Sequence, residues 1–293
     1  MKNRGEPKSI RQGVNQLLRF LQEMPDAYGI VVAPYVSPKS QQICDEAGVG
    51  FVDLARNCKL VIENIFIQNI GHPNPYTRDK SRASIYAPKA SRVLRVLLSH
   101  SIKKIWKTKS MATETGLSYG HIHKVRKRLE DREWINDSKS GFSLKEPMEL
   151  LREWTANYTF RSNRSFDFYS MDNLGQIEEK IGAGQKNGAR TALTGFSGAA
   201  RYAPMVRYQN IFAYVEEEPE MLALDAGFKA VNSGPNVTLL RPYDAGVFYG
   251  SRRFEGIAVV SPVQLYMDLM TMPGRGEEAA EALLEKEIKS TWQ

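Results

Sequence analysis

The fold of the middle of this chain is decided by residues 115–135, "TGLSYGHIHKVRKRLEDREWI". Four of its apolar side chains recur at helical spacing: Leu117, Ile122, Val125 and Leu129. This spacing predicts an amphipathic helix with one face in a core. Gly116 suits a tight turn between helices and Ser118 is a natural N-cap, so we expect the helix to run from Ser118 to Asp131.

The segments on either side predict the neighbours of this helix. Upstream, "KASRVLRVLLSH" and "SMATET" are expected to form a helix and a short second helix. Downstream, "EWINDSKSGFSLK" predicts a β-hairpin that turns around residues 138–141, and "EPMELLREWTANY" predicts a further amphipathic helix. This order of elements predicts a winged helix-turn-helix over residues 89–158, whose second helix enters the DNA major groove.

The positive charge of the chain is concentrated in the same region. The net charge is +7, and residues 89–132 hold twelve Lys or Arg against three acidic residues, which is +9, so the remainder sums to −2. Three of the four histidines also lie there: His100, His121 and His123. A helix that is only solvated interleaves Glu with Lys. This segment largely does not, which favours a polyanionic partner.

Nine residues are predicted to contact DNA: Ser118, Tyr119, Gly120, His123, Lys124, Arg126, Lys127, Arg128 and Lys139. The first three begin the helix, where exposed amides and the positive end of the helix dipole favour anions. Lys124 and Lys127 can neutralise phosphates or reach guanine acceptors. Arg126 and Arg128 flank the apolar stripe and are expected to grip the backbone, while Lys139 at the hairpin tip reaches an adjacent groove. Roughly five or six phosphate contacts predict a log–log salt slope of about −5.

Two other roles are open to this helix. The first is packing against protein without DNA. The second is a metal site at His121 and His123, but residues two apart on a helix point in different directions, and no Cys or carboxylate completes a ligand set. Cys44 and Cys58 have no CxxC partner. We therefore expect a reduced cysteine pair, no metal and no cofactor.

Residues 1–75 predict a small α/β domain. "GIVVAPYV" has strand character, and "SPKSQQICDEAG" predicts a helix with Ser37 as N-cap and Pro38 at the first helical position. "VGFVDL" and "KLVIENIFI" follow as strands, and "IRQGVNQLLRFLQEM" precedes them as a helix. Residues 76–88, which end at a proline, are the expected linker to the next domain.

An acidic residue and a lysine in this first domain are arranged somewhat like a nuclease site. Nucleases of the PD-(D/E)xK type hold Mg²⁺ with one acidic residue and a second that lies two residues before a lysine. Asp53 and Lys59 are present, but the second acidic position holds Asn57. A neutral amide is a poor substitute for a metal-binding carboxylate, so we expect this domain to be inactive.

Residues 159–293 predict a mixed α/β domain. "RTALTGFSGAARYAP" is expected to be a strand that turns into a helix at Thr194–Gly195. Nucleotidyltransferases have a Gly-Ser turn at such a helix start and then a strand with two metal-binding carboxylates. Here that strand holds Asn210-Ile211-Phe212, and the acidic run Glu216-Glu217-Glu218 falls past its expected end. We expect no catalysis, with a metal-dependent nuclease or nucleotidyltransferase as the alternative.

Five segments, in this order, carry a resemblance to a known family: "APYVSPKSQQICDEAGVGFVDLARN", "PKASRVLRVLL", "TGLSYGHIHKVRKRLEDREWI", "ELLREWTANY" and "TALTGFSGAARYAP". The chain resembles the AbiEi-type antitoxins of type IV toxin–antitoxin systems over residues 29–288. The resemblance is most specific in the part of the chain before residue 159. The resemblance implies a transcriptional autorepressor that binds inverted repeats in its own promoter and counters a nucleotidyltransferase toxin. It also implies a nuclease-like remnant before the winged helix and a nucleotidyltransferase-like domain after it.

Together these features predict an α+β multidomain protein. Its parts are an inactive α/β restriction-endonuclease-like domain (1–75), a linker (76–88), a winged helix-turn-helix (89–158) and an inactive nucleotidyltransferase-like α/β domain (159–293). The predicted function is that of a cytoplasmic regulator that binds double-stranded DNA at an inverted-repeat operator. No secretory signal and no apolar run of roughly 18 residues is present, so no membrane partner is expected. A homodimer is an expected assembly, and direct toxin contact is left open.

Overall fold

The computed structural model describes residues 5–24, 26–76, 84–184, 190–203, 208–216 and 218–293. The chain divides into two compact units: a first unit of Met1–Ser84 with His123–Ser138, and a second unit of Ile85–Ile122 with Lys139–Gln293. Most of the expected linker, residues 77–83, lies outside the described part. None of the described helices is both long and apolar enough to cross a membrane.

The first unit contains a four-stranded sheet and two helices. Its elements are α1 (Pro7–Glu23), β1 (Ile30–Ala33), α2 (Pro38–Glu46), β2 (Gly50–Asp53), β3 (Cys58–Ile62) and β4 (Ile65–Asn69). The strand order is β1-β2-β3-β4, with β1 and β2 parallel and the other neighbours antiparallel. The predicted start of α2 is confirmed, because Ser37 accepts the amide of Ser40 and Pro38 is the first helical residue.

The segment "KLVIENIFI", predicted as one strand, is two. β3 and β4 form a hairpin in which Ile62 pairs with Ile65, so Glu63 and Asn64 make the turn. Glu63 has a φ of +49°, in the left-handed region that side chains rarely adopt. A two-residue turn of this kind reverses the chain without the glycine or proline that marks most turns. The apolar pattern therefore gave no sign of it.

The core of the first unit lies between its two helices and one face of its sheet. Nine buried residues form it: Ile10, Val14, Val31, Ala33, Val36, Ile43, Cys44, Val49 and Phe51. Burial raises the pKa of the Cys44 thiol to about 11, so this thiol stays protonated at neutral pH. Val31 and Phe51 are cross-strand neighbours on β1 and β2. The helices therefore cover the sheet face on which these two side chains lie.

The predicted helical region follows. Its elements are α3 (Pro88–Leu98), α4 (Thr108–Thr115), α5 (Tyr119–Asp131), the hairpin strands β5 (Ile135–Ser138) and β6 (Gly141–Leu144), and α6 (Pro147–Ala156). These are the predicted elements in the predicted order. The division between the two units falls within α5 and again at the turn of the hairpin.

A seven-stranded mixed sheet forms most of the remaining second unit. Its strands are β7 (Arg164–Tyr169), β8 (Thr191–Thr194), β9 (Ile211–Val215), β10 (Lys229–Ala230), β11 (Val237–Arg241), β12 (Arg252–Phe254) and β13 (Ile257–Val259). The order is β10-β7-β11-β9-β8-β13-β12, with the pairs β11–β9 and β13–β8 parallel. The helices are α7 (Leu174–Gly184), α8 (Gly195–Tyr202), α9 (Pro219–Ala226), α10 (Pro262–Met270), α11 (Gly276–Leu283) and α12 (Lys289–Thr291). Helices and sheets of this kind agree with the predicted α+β class.

The predicted turn from strand to helix at Thr194–Gly195 is confirmed. β8 ends at Thr194 and α8 begins at Gly195. Gly195 has a φ of +60°, and a Cβ there would come within 2.5 Å of Met272 Cε. The left-handed backbone conformation favours glycine at this position, whereas the flexible end of the Met272 side chain could move aside for a Cβ.

A buried polar network begins at Arg95 on α3. Its side chain is fully buried and donates hydrogen bonds to Ser91 Oγ (3.2 Å), Tyr243 OH (2.8 Å) and Gln264 Oε1. The guanidinium also lies 4.9 Å from the centre of the Trp154 ring. A buried guanidinium needs such partners because it has lost its water. One of the twelve cations of residues 89–132 is thus part of the interior.

The network continues to Asp268 on α10, which is also fully buried. Gln264 Nε2 donates to Asp268 Oδ1 at 2.8 Å, and the hydroxyls of Tyr158 and Thr194 each donate to the carboxylate at 2.5 Å. The hydroxyl of Tyr214 lies 3.1 Å from both carboxylate oxygens. Within the second unit, the network thus fixes α3 against the seven-stranded sheet.

Candidate nucleic-acid interface

The tight turn before α5 has the predicted glycine and serine in the predicted roles. Gly116 follows α4 with a φ of +67°, and its amide donates to the carbonyl of Ala112. The same carbonyl accepts the amide of Leu117 at 3.2 Å. Ser118 Oγ then accepts the amide of His121 at 3.3 Å, as an N-cap does. These bonds fix where α4 ends and where α5 begins.

The two faces of α5 differ as the sequence predicts. Its inward side chains, Ile122, Val125 and Leu129, are buried, and Leu117 just before the helix is half-buried. The residues exposed to solvent are Ser118, Tyr119, Gly120, His123, Lys124 and Lys127. We call this set the α5 outer face. Tyr119 is 58% exposed, so both its ring and its hydroxyl are open to solvent.

Two of the predicted DNA-contacting cations are paired within the first unit. Arg126 Nε donates to Asp137 Oδ2 at 3.0 Å, which holds the arginine against β5. Lys127 Nζ lies 3.2 Å from Glu130 and 3.3 Å from Asp131. The bond to Glu130 raises the pKa of the Lys127 ammonium, which therefore remains charged at any neutral pH. Each of these two cations therefore has a carboxylate beside it, which reduces its attraction for an anionic partner.

Lys124 and Lys139 differ from these two. Both are exposed, and neither forms an ion pair with a described residue. Lys139 occupies the turn of the β5–β6 hairpin, as predicted. Arg128, which is half-buried, lies beside the apolar stripe of α5. Among the predicted DNA-contacting cations, Lys124 and Lys139 are therefore exposed and without a carboxylate partner in the described part of the chain.

The charge available at the surface is smaller than the sequence count suggested. Arg95 is buried, and Arg92 donates two hydrogen bonds to Asp244, at 2.7 and 2.9 Å. With Arg126 and Lys127, at least four of the twelve cations of residues 89–132 are buried or paired within the chain. The positive charge counted along residues 89–132 is therefore only partly available at the surface. For Arg92 and Arg95 the cause is distance in sequence, since Asp244 follows Arg92 by 152 residues and Gln264 follows Arg95 by 169.

A residue that the sequence analysis did not single out also supports the hairpin. Trp106, just before α4, exchanges backbone hydrogen bonds with Phe142 on β6, at 2.8 and 3.0 Å. Gly141 allows this approach, because a Cβ there would lie 2.5 Å from the carbonyl oxygen of Trp106. In the sequence, the predicted hairpin turn at residues 138–141, which ends at this glycine, is the feature that could have indicated the close approach. Trp106 thus adds a short third strand segment beside β6.

The nuclease-like residues of the first unit serve to close a loop. Asp53 Oδ2 accepts the amide of Val36 (3.0 Å) and the side-chain amide of Asn57 (2.9 Å), and Oδ1 accepts the amide of Asn57 (2.8 Å). Asn57 in turn pairs with the backbone of His72 at 2.9 and 3.2 Å. Lys59 is directed elsewhere, to Asp45 at 2.8 Å. The Asp53 carboxylate is therefore occupied by amide donors.

The corresponding residues after β8 are also used within the fold. Ser197 Oγ is buried and donates to the carbonyl of Thr194 at 2.9 Å. Glu216 lies one residue past the end of β9, as expected, with its carboxylate 3.9 Å from Arg190. Glu217 lies outside the described residues, and Glu218 precedes α9 with a φ of +48°. Among the described residues, no three His, Cys, Asp or Glu are grouped to hold a metal ion.

A comparison with known protein families finds a match over the second half of the chain. Residues 143–289 match a family model described as "Transcriptional regulator, AbiEi antitoxin, Type IV TA system". The match covers half of the 293 residues and runs from β6 to the start of α12. The match lies after α5, whereas we expected the resemblance to be most specific in the part of the chain before residue 159. No curated protein and no solved structure matches the chain. The chain belongs to the AbiEi antitoxin family, the transcriptional regulators of type IV toxin–antitoxin systems.

Proposed function

We propose that the chain is a sequence-specific regulator that binds double-stranded DNA through the α5 outer face. In this role it is the antitoxin and autorepressor of its toxin–antitoxin system and acts on its own promoter DNA in the bacterial cytoplasm. The observation that carries the proposal is the exposure of six predicted DNA-contacting residues on one side of a helix whose other side is buried. A helix exposed in this way fits a major groove about 12 Å wide.

The start of α5 supports contact with phosphate. The first helical amides have no partner within the helix and point outward with the positive end of the dipole. Gly120 leaves the backbone there uncovered, and a Cβ at this position would meet no atom within 4 Å. Packing therefore does not require this glycine, while a close approach to a DNA backbone does. Ser118 and Tyr119 supply hydroxyls at the same end of the helix.

The hairpin supports a winged helix in particular. A winged helix has a short strand between its first two helices that pairs with the wing, and Trp106 has this place between α3 and α4. Lys139 at the hairpin turn would then reach the groove or phosphates next to those that α5 contacts. In this arrangement the helix determines the sequence that is bound and the wing adds affinity.

The operator is proposed to be an inverted repeat in the promoter of the chain's own operon. Each half-site would take one α5, and two copies of the chain would bind the repeat with twofold symmetry. Repression follows because the bound pair excludes polymerase from the promoter. The toxin would be countered through the same autoregulation, with or without direct contact.

The test uses fluorescence anisotropy of a labelled promoter duplex at several salt concentrations. Lys124→Ala should weaken binding about ten-fold and reduce the log–log salt slope by about one, since this lysine has no internal ion pair. Lys127→Ala should change the slope less, because Glu130 and Asp131 already match its charge. Lys229→Ala, at an exposed lysine on β10, removes the same charge as a control and should bind like the wild type.

Two results would overturn the proposal. The first is unchanged affinity in Lys124→Ala and in a variant that also carries Lys127→Ala. The second is strand cleavage or nucleotide incorporation on adding Mg²⁺, provided that Asp53→Ala or Glu216→Ala abolishes it. That result would establish the alternative of a nuclease or nucleotidyltransferase. Binding without strand loss, with or without Mg²⁺, supports the regulator.

A further inference from the structure

The β3–β4 hairpin of the first unit exposes an unusual amount of apolar surface. Five side chains at its end are exposed by 37–62%: Val61, Ile62, Ile65, Phe66 and Ile67. They leave roughly 500 Å² of apolar area open to solvent, which is as large as the largest patch of a typical monomer. We call these residues the hairpin patch. Patches of this size usually mark a site of interaction.

Both faces of the hairpin contribute to the patch. Directly paired residues of antiparallel strands share a face, so Ile62 lies beside Ile65 on one face and Val61 beside Phe66 on the other. The helices α1 and α2 cover the face that carries Val31 and Phe51. They nevertheless leave the hairpin end uncovered, since all five patch residues remain exposed. The first unit therefore buries neither face of its hairpin end.

The outer edge of β4 is open as well. Among the described residues β4 pairs only with β3, so the backbone groups on its other side have no strand partner. Natural edge strands are usually protected by a lysine, a proline or a bulge. β4 has the sequence "IFIQN" and contains none of these. A neutral, apolar, unprotected edge is suited to pairing with another strand.

The chemistry of this edge favours a second copy of the same chain. β4 carries no charge, so two copies can lie antiparallel without repulsion and without a complementary charged partner. Antiparallel pairing of identical strands is a twofold arrangement that joins the two open edges by backbone hydrogen bonds. The exposed apolar side chains of β4, Ile65, Phe66 and Ile67, would then become cross-strand neighbours of those of the second copy and pack against them on each face of the joined sheet.

We propose that the hairpin patch is a homodimer surface, in which β4 of one chain pairs antiparallel with β4 of a second copy. The two four-stranded sheets then form one continuous sheet of eight strands with the patch residues at its centre. The surface is independent of DNA binding, although the twofold axis it creates is the one that an inverted-repeat operator under the proposed function would need.

The first test measures mass without DNA, by sedimentation velocity over micromolar concentrations. The wild type should sediment as a species of twice 33.1 kDa. Ile65→Glu with Ile67→Glu should sediment as the monomer, because pairing would bring like charges together. Met171→Glu with Leu224→Glu is the matched control, since both residues are exposed apolar side chains of the second unit. The control should remain dimeric.

A second measurement needs no variant. Hydrogen exchange of the β4 amides should slow as the wild-type concentration rises, because pairing protects the outer edge of the strand. A wild type that is monomeric at about 100 μM, or a dimer that persists in Ile65→Glu with Ile67→Glu, would overturn the proposal. Protection of β4 that appears only when a different protein is added would also overturn it. Binding of the glutamate variant to a single half-site reports separately on the proposed DNA function.

Discussion

Replacement of Asp268 by asparagine should remove a pH dependence of stability that this buried carboxyl group creates. Burial raises the pKa of Asp268 from its ordinary 3.8 to about 6, although the hydrogen bonds from Thr194, Tyr158 and Gln264 oppose the rise. Asparagine has nearly the same size and keeps one acceptor oxygen for these donors, but it does not ionise. The comparison of wild type and Asp268→Asn therefore isolates the ionisation.

The sign follows from the state that holds the proton more tightly. Between about pH 4 and pH 6 the folded protein keeps a proton on Asp268 that the unfolded chain has released. The free energy of unfolding therefore falls as the pH rises through this window. A rise in pKa from 3.8 to about 6 corresponds to a loss on the order of 3 kcal/mol. Solvent does not screen the charge of the Asp268 carboxylate, because this side chain is fully buried.

Urea unfolding followed by tryptophan fluorescence gives the free energy of unfolding at each pH. The quantity of interest is the value for Asp268→Asn minus that for the wild type, in which the other carboxyl groups cancel. This difference should grow by about 3 kcal/mol between roughly pH 4 and pH 7.5. Asp225→Asn, at an exposed aspartate of α9, is the control and should give a nearly constant difference. A constant difference for Asp268→Asn as well would refute the reasoning.

Two further substitutions test local arguments. Gly120→Ala should stabilise α5 by about 0.5–1 kcal/mol, since alanine is the better helix former and its Cβ meets no neighbour within 4 Å. It should nevertheless weaken DNA binding by anisotropy, and equal or tighter binding would contradict a close backbone approach. Asp53→Ala should lower the free energy of unfolding by about 2 kcal/mol or more, because the amides of Val36 and Asn57 lose their acceptor. Denaturant titration measures it, and a loss below about 0.5 kcal/mol would contradict the loop-closing role.

The parts of the fold that the sequence predicted are those fixed by neighbours along the chain. The buried stripe of α5 follows from a spacing of three and four residues, which any helix turns to one side. Gly116 and the turn at Thr194–Gly195 are likewise local, because each needs one residue with a positive φ next to a helix. The two faces of α5 were therefore open to prediction without coordinates.

The parts that escaped prediction depend on residues far apart in sequence. β7 was not predicted, because its alternation is weak and its pairing with β11 joins Phe168 to Val237. Arg92 and Arg95 looked like members of a basic surface, yet their partners Asp244 and Gln264 lie more than 140 residues away. Charge counted along a sequence cannot tell a paired or buried cation from a free one. The same limit applies to the β3–β4 hairpin, whose exposure depends on what the rest of the unit leaves uncovered.

The ion pairs on α5 alter the expected salt dependence of DNA binding. A count of the predicted cations gave a log–log slope of about −5. Arg126 is held by Asp137, and Lys127 by Glu130 and Asp131, so each brings negative charge toward the phosphates that it meets. Cations matched in this way release fewer counterions, and a slope nearer −3 should follow from the remaining free cations. A slope of about −5 or steeper would mean that DNA takes these cations from their carboxylates, in which case the pairs act as a barrier to non-specific binding.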